Sequence, residues 1–218
     1  MNVAGQTPDE IAERVIAALG EEAPDEGRRL IAVAGPPASG KTTLAHVLHR
    51  WLRARGVPAG LLAMDGFHLD NSILERRGLL ARKGAPETFD LDGFAALLAR
   101  VHRGDPVIAP TFDRRLDKSI AGVFEIAAET SVIVVEGNYL LLDEPGWRDL
   151  RRFWDDVVFL DVPEDVLEAR LLKRWRDHGL NEDDARGRAE GNDLPNATRI
   201  VRNSTLPEGA LRLTSDQP

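Results

Sequence analysis

Gly35-Pro36-Pro37-Ala38-Ser39-Gly40-Lys41-Thr42-Thr43 is the stretch whose residue types and spacing spell out a chemistry directly. It is G-x-x-x-x-G-K-[ST], preceded by the short apolar run Leu30-Ile31-Ala32-Val33-Ala34 and followed at once by the helix-like Leu44-Ala45-His46-Val47-Leu48. Strand, glycine-bounded loop and helix, in that order, are the context in which this pattern cradles phosphate. Gly35 and Gly40 permit backbone angles and approaches that a Cβ would block, so successive N–H groups can turn inward around an anion. The start of the next helix adds its positive end to that nest. Lys41 would reach the β- and γ-phosphates of ATP, and the hydroxyl of Thr42, rather than that of Thr43, would be an oxygen ligand for Mg²⁺.

Two carboxylates stand at the ends of other apolar runs. Ala59-Gly60-Leu61-Leu62-Ala63-Met64 leads into Asp65-Gly66-Phe67-His68, and Ser131-Val132-Ile133-Val134-Val135 leads into Glu136-Gly137-Asn138. In an open α/β sheet the strand carboxyl ends share one edge, where ligands bind. With one βαβ unit between Thr42 and Asp65, Asp65 is expected beside the phosphate loop. Glu136 makes a Walker-B-like element able to hold Mg²⁺, usually through water. Glutamate stands where the general pattern has aspartate, which leaves direct metal contact open.

A third group is cationic. The helix opened by Asp161-Val162-Pro163-Glu164 ends in Arg170, Arg174 and Arg176, followed by Arg186 and Arg188. Arg170 and Arg174 lie one turn apart on one face. Such a run is either a solvated face or a lid over residues 170–190 that closes on the triphosphate, with Arg170 and Arg174 as catalytic cations and Arg176 at the nucleotide. Lys83, Arg114 and Arg115 suggest an acceptor that carries a carboxylate or phosphate.

The elements that must position these groups read as one α/β domain over residues 1–218, a parallel sheet with helices on both faces. Thr7-Pro8-Asp9-Glu10 is a capping box opening an amphipathic helix expected on the outside of the core, and residues 21–28 read as an acidic loop. Residues 66–90 form a segment with little regular signal, long enough to be a binding loop. Pro106–Phe112 reads as an edge strand, Asp113–Lys118 as a charged turn, Val123–Ala127 as a hairpin return, Val157–Leu160 as a fourth core strand and Leu211–Leu213 as a last edge strand. The net charge of −8 disfavours nucleic acid as a partner, and the absence of cysteine excludes thiolate chemistry and sulfur metal sites. No run approaches 18 apolar residues, so neither a membrane span nor a signal peptide is expected and a cytoplasmic setting is the simplest reading. A homodimer is left open.

These residues together resemble the phosphoribulokinase, uridine kinase and type I pantothenate kinase family over most of residues 30–205. The most specific part is Met64-Asp65-Gly66-Phe67, then Leu74-x-x-Arg77-Gly78-Leu79 and Arg82-Lys83-Gly84-Ala85-Pro86-Glu87-Thr88-Phe89-Asp90, similar to the corresponding stretch of pantothenate kinases. The short length and Phe112-Asp113-Arg114-Arg115 resemble small bacterial proteins labelled fructose transport system kinase or nucleoside/nucleotide kinase. The resemblance implies a P-loop NTPase three-layer fold, with the Glu136 strand next to the phosphate-loop strand. It also implies phosphoryl transfer from ATP with Mg²⁺ to a hydroxyl of a small pantothenate-, nucleoside- or sugar-like metabolite. By that resemblance Asp65 would be the general base, Glu136 would sit near the metal or the acceptor, and the arginines of 170–176 would form the lid. Phe67, His68, Lys83, Arg114, Arg115 and Asn138 are this chain's own candidates around the acceptor, Arg114 and Arg115 standing where uridine kinases place tyrosine and histidine. Thr111-Phe112-Asp113 departs from the Tyr-Ser-His of pantothenate kinases. Two other functions fit the same loop: a nucleotide-dependent switch without a small acceptor, and a kinase of nucleotides.

Overall fold

The computed structural model describes residues 1–20 and 27–215. Most of the expected acidic loop, residues 21–26, lies outside the described residues. Strands β1 (Arg29–Ala34), β2 (Ala59–Ala63), β5 (Val132–Gly137), β6 (Asp156–Asp161) and β7 (Leu211–Thr214) form a parallel sheet in the order β2-β5-β1-β6-β7. The register places Val33 beside Glu136 and Ala34 beside Gly137 on one flank, and Ala34 beside Phe159 on the other. The Glu136 strand is thus the neighbour of the phosphate-loop strand, as the resemblance implies.

Alternate residues of each strand face opposite layers. Ile31, Val33, Val132, Val134, Val158 and Leu160 pack on α1 (Pro8–Leu19) and α2 (Lys41–Ala54) through Val15, Ile16, Leu44, Leu48 and Leu52. Leu30, Ala32, Ile133, Val135, Val157 and Phe159 pack on α4 (Leu91–His102), the 3₁₀ turn at Trp147–Phe153 and α7 (Leu194–Asn203). Each fully buried Leu, Ile or Val contributes about 1.5–3 kcal/mol. The first helix is capped as expected, with Thr7 accepting from the Glu10 N–H, and it packs on the outside of the core through the buried Ala12, Val15 and Ile16.

The proline-bearing segment is an edge strand with a hairpin return, as expected, and it stands apart from the parallel sheet. β3 (Val107–Asp113) pairs antiparallel with β4 (Lys118–Ile126) in a separate hairpin, whose register shifts around Pro110, where proline removes a ladder donor. Arg28 ties the base of that hairpin to the domain, donating to the carbonyls of Val101, Asp105, Ala127 and Thr130.

Segment 66–90 is built from short elements. After a 3₁₀ turn at Met64–Phe67 come α3 (Asn71–Arg76) and two more 3₁₀ turns, at Leu80–Arg82 and Pro86–Thr88. Tyr139, just beyond β5, donates to the Gly84 carbonyl at 2.6 Å and fixes the segment to the sheet edge. The remaining helices are α5 (Glu164–Asp177) and α6 (Glu182–Arg188), and a π-helical turn, Ala189–Asp193, runs on into α7.

Gly66 is where this segment and the hairpin meet. A Cβ there would lie 2.5 Å from the Pro110 carbonyl oxygen and 2.8 Å from its carbon. Gly66→Ala should therefore cost about 1–3 kcal/mol, several degrees of melting temperature. Gly187→Ala, whose Cβ would meet nothing within 4 Å, should be neutral or mildly stabilising. Equal melting temperatures for the two variants would refute the close-contact reading.

Candidate functional site

The phosphate loop follows directly from the end of β1. Ser39 N–H donates to the Pro36 carbonyl at 3.2 Å, Ala38 takes φ of 62° and Gly40 takes φ of 95°. A Cβ on Gly35 would come within 2.8 Å of Ser39 Oγ and 2.9 Å of the Leu160 carbonyl oxygen, so only glycine fits. α2 then begins at Lys41 with no side-chain cap on its first turn. Its leading N–H groups and positive dipole end are thus left for an anion. Arg170 lies against the loop, with Nη1 donating to the carbonyls of Ala38 at 3.3 Å and Ser39 at 3.4 Å.

Charge converges at the sheet edge. Thr42 Oγ1 donates to Glu136 Oε2 at 3.2 Å, and Glu136 is only 5% exposed. Burial pushes the Glu136 carboxyl up against the pull of Lys41, and burial pushes the Lys41 ammonium down against the pull of Glu136 and Asp65. Arg174 is lowered by burial, then by Arg114. Asp65 Oδ2 accepts from Arg114 Nη2 at 2.7 Å. A threonine hydroxyl and a carboxylate beside a phosphate nest are hard oxygen donors of the kind Mg²⁺ takes in small number, so this pair fits that ion.

Two cavities flank the loop. The larger, about 370 Å³, is lined by Ala38, Ser39, Gly40 and Thr43 together with Val3, Gln6, Ile11, Leu213 and Arg170. The smaller, about 140 Å³, lies on the Pro37 and Lys41 side and holds Asp65, His68, Arg114, Asn138 and Arg174. His68 packs between the rings of Phe89 and Phe112, with centroids 4.1 and 4.5 Å away, and shares a 2.8 Å hydrogen bond with the Asp65 carbonyl.

Not every candidate reaches these cavities. Phe67 turns into the core against Phe94 at 4.9 Å. Arg115 is exposed on the hairpin turn, and Arg176 pairs with Glu182 at 3.0 Å on the surface. Lys83 lines the smaller cavity but directs Nζ to Asn71 Oδ1, the Asp117 carbonyl and Asp117 Oδ2, at 2.6, 2.7 and 2.9 Å. Sequence reasoning missed several lining residues. Trp175 donates to Asp193 Oδ2 at 2.7 Å, and Asn192 and Asn196 are buried in the wall. Val3 and Leu213 come from opposite chain ends, and only the pairing of the two termini, Asn2 beside Thr214, brings them together. No local pattern signals such residues.

The strand–loop–helix phosphate nest and the parallel sheet layered with helices are those of the P-loop kinase fold. The sequence profile of the Phosphoribulokinase / Uridine kinase family matches residues 30–189, and the chain belongs to that family. It is therefore a phosphotransferase with an alcohol group as acceptor. A crystal structure of a Silicibacter sp. TM1040 protein, assigned by name alone to fructose transport system kinases, is 49% identical. It superposes with a TM-score of 0.85, covering 96% of this chain and 99% of that one. A Schizosaccharomyces pombe protein, assigned by name alone as a uridine kinase, is 31% identical over 94% of this chain and 89% of its own. Pantothenate kinase of Enterococcus faecalis is 32% identical over 67% of this chain and 49% of its own, so the match spans about half of that enzyme.

Burial lowers the His68 pKa below 6.5, with Asp65 opposing. The folded protein then binds fewer protons there than the unfolded chain, so the His68 contribution is complete above pH 6.5 and is lost as pH falls below it. Between about pH 7 and about pH 5 the melting temperature should fall more steeply for wild type than for His68→Phe. His49, also lowered by burial, contributes equally to both proteins, so the difference isolates His68. Parallel slopes would refute it.

Proposed function

We propose that this protein transfers the γ-phosphoryl group of ATP to a hydroxyl of a small metabolite, with the phosphate loop separating donor from acceptor. The division of space around that loop carries the reading. The larger cavity, on the Ala38–Thr43 side, would take the nucleoside of ATP, and the smaller, on the Pro37 and Lys41 side, the acceptor. Such a partition leaves the γ-phosphate between them.

Asp65 would accept the proton of the acceptor hydroxyl as its oxygen attacks the γ-phosphorus. The bond from that phosphorus to the β–γ bridging oxygen breaks, and ADP leaves with the electron pair. Lys41 and Arg174 would neutralise charge on the transferring group. Arg170 holds the loop carbonyls and so orients the nest. Thr42, and Glu136 directly or through water, would hold Mg²⁺, which would supply positive charge to the phosphates. Relatives named for uridine and pantothenate make nucleosides, acids and sugars the first acceptors to try.

Asp65→Asn should lower kcat about 10²–10⁴-fold. Its affinity for ATP should stay within about twofold, since a base toward the acceptor leaves nucleotide binding alone. Lys41→Ala should lose both. Turnover measured as acceptor-dependent ADP release, alongside calorimetric ATP binding, separates the two effects. Unchanged kcat in Asp65→Asn would overturn the base assignment. ATP binding with no acceptor dependence would favour the switch.

A further inference from the structure

The acceptor cavity is more cationic than the protein around it. Lys41, Lys83, Arg114, Arg174 and Arg188 line it against Asp65, Asp117 and Asp193, in a chain of net charge −8. Most of these cations have an occupation. Lys83 spends its donors on Asn71 and Asp117, Arg188 lies 5.2 Å over the Trp175 ring, and Lys41 and Arg174 serve the phosphoryl side in the kinase reading.

Arg114 is different. Among the described residues its only polar partner is Asp65 Oδ2, so one of its five N–H donors is used. Its place is nonetheless fixed. Asp113 Oδ1 accepts from the N–H groups of Arg115 and Leu116 at 2.9 and 3.0 Å, shaping the turn that carries Arg114. The Lys83–Asp117 pair at 2.9 Å anchors the end of that turn to the 66–90 segment.

Resting on the kinase reading, we infer that Arg114 binds an anionic group of the acceptor while Asp65 receives its reacting hydroxyl, so the substrate is a compact hydroxy acid or polyol phosphate. A guanidinium fork binds carboxylate or phosphate through two parallel N–H donors at about 2.8 Å, and a hydroxyl meets a carboxylate at about 2.7 Å. With Arg114 Nη2 itself 2.7 Å from Asp65 Oδ2, one molecule satisfies both groups only if its hydroxyl and its anion are close together. The cavity of about 140 Å³ also lies well below the roughly 300–1,000 Å³ of sites that enclose drug-sized ligands.

The test uses matched acceptors with the full-length protein, ATP and Mg²⁺: glycerate, glycerol 3-phosphate and glycerol, then gluconate and glucitol. Pantothenate, whose carboxylate is remote from its primary hydroxyl, and uncharged uridine complete the panel. A carboxylate or phosphate member should be turned over at least about tenfold more efficiently than its neutral counterpart, and the glycerate and glycerol 3-phosphate arms decide which anion is read. Arg114→Gln should raise KM for that acceptor about 10–100-fold while KM for ATP and the melting temperature hold, and Arg114→Lys should recover part of the loss. Efficient turnover of uridine, pantothenate or a neutral polyol, abolished in Asp65→Asn but indifferent to Arg114→Gln, would overturn this inference and leave the kinase reading standing. No turnover of any arm, or turnover indifferent to Asp65→Asn, would overturn the catalytic assignment and this inference with it.

Discussion

The parallel pairing of β1 with β5 brings Ala34 level with Gly137 and Val33 level with Glu136, so the phosphate loop and the carboxylate leave the sheet side by side. All six residues of β5 are buried, which forces the glutamate into poor solvent. Taking a single ion out of water costs several kcal/mol unless partners restore what hydration gave. Thr42 and Lys41 restore part of it, and the opposed shifts of Glu136 and Lys41 record that the restoration is incomplete. The helix start is left uncapped beside them. A polyphosphate with a divalent cation complements this arrangement: negative toward Lys41 and the helix N-terminus, positive toward Glu136. The same burial that shifts these groups makes each interaction with the transferring group stronger than it would be in water.

Asp65 comes to this cluster by a different route. It is separated from β1 by the whole width of β5, and the 3₁₀ turn after β2 carries it back toward the loop. That turn is held by close contacts rather than by a sheet. Gly66 backs onto Pro110, Gly137 leaves room for Met64, and His68 is wedged between Phe89 and Phe112. Ser119 Oγ then donates to the His68 carbonyl at 2.9 Å, joining the hairpin to the turn that carries Asp65. Placement by packing costs no reorganisation at the moment of reaction.

How much of this could be read beforehand divides along the same line. The donor side is a contiguous sequence: Gly35, Gly40, Lys41 and Thr42 have local geometric reasons to be what they are, so the loop, its strand and its helix were legible. So were Asp65 and Glu136, because a carboxylate at the end of a buried apolar run pays desolvation unless a cation or a ligand meets it there. Strand order was not legible in local pattern, since every short apolar run looks alike; only the family likeness set β5 beside β1. The acceptor wall was legible only in part. Lys83 and Arg114 look equivalent as sequence, and only the turn that sets Asp117 against Lys83 shows one to be a strut and the other to retain open donors. Phe67 was misleading for a similar reason: it neighbours the base in sequence, but a 3₁₀ turn sends it into the core.

This asymmetry bears on what family membership can carry. The groups proposed to face the nucleotide phosphates come from one loop whose shape leaves few substitutions open. The acceptor cavity draws Asp65 and His68 from one segment, Arg114 and Asp117 from the hairpin turn, Asn138 from the end of β5, and Trp175, Asn192 and Asn196 from the α5–α7 region. If Arg114 reads the acceptor as proposed, a change of acceptor would need only new side chains on a turn, whereas a change of donor would need the strand–loop–helix unit rebuilt. On the proposed reading, acceptor identity would be set by the hairpin turn and the asparagine wall more than by the motif that places the chain among the kinases.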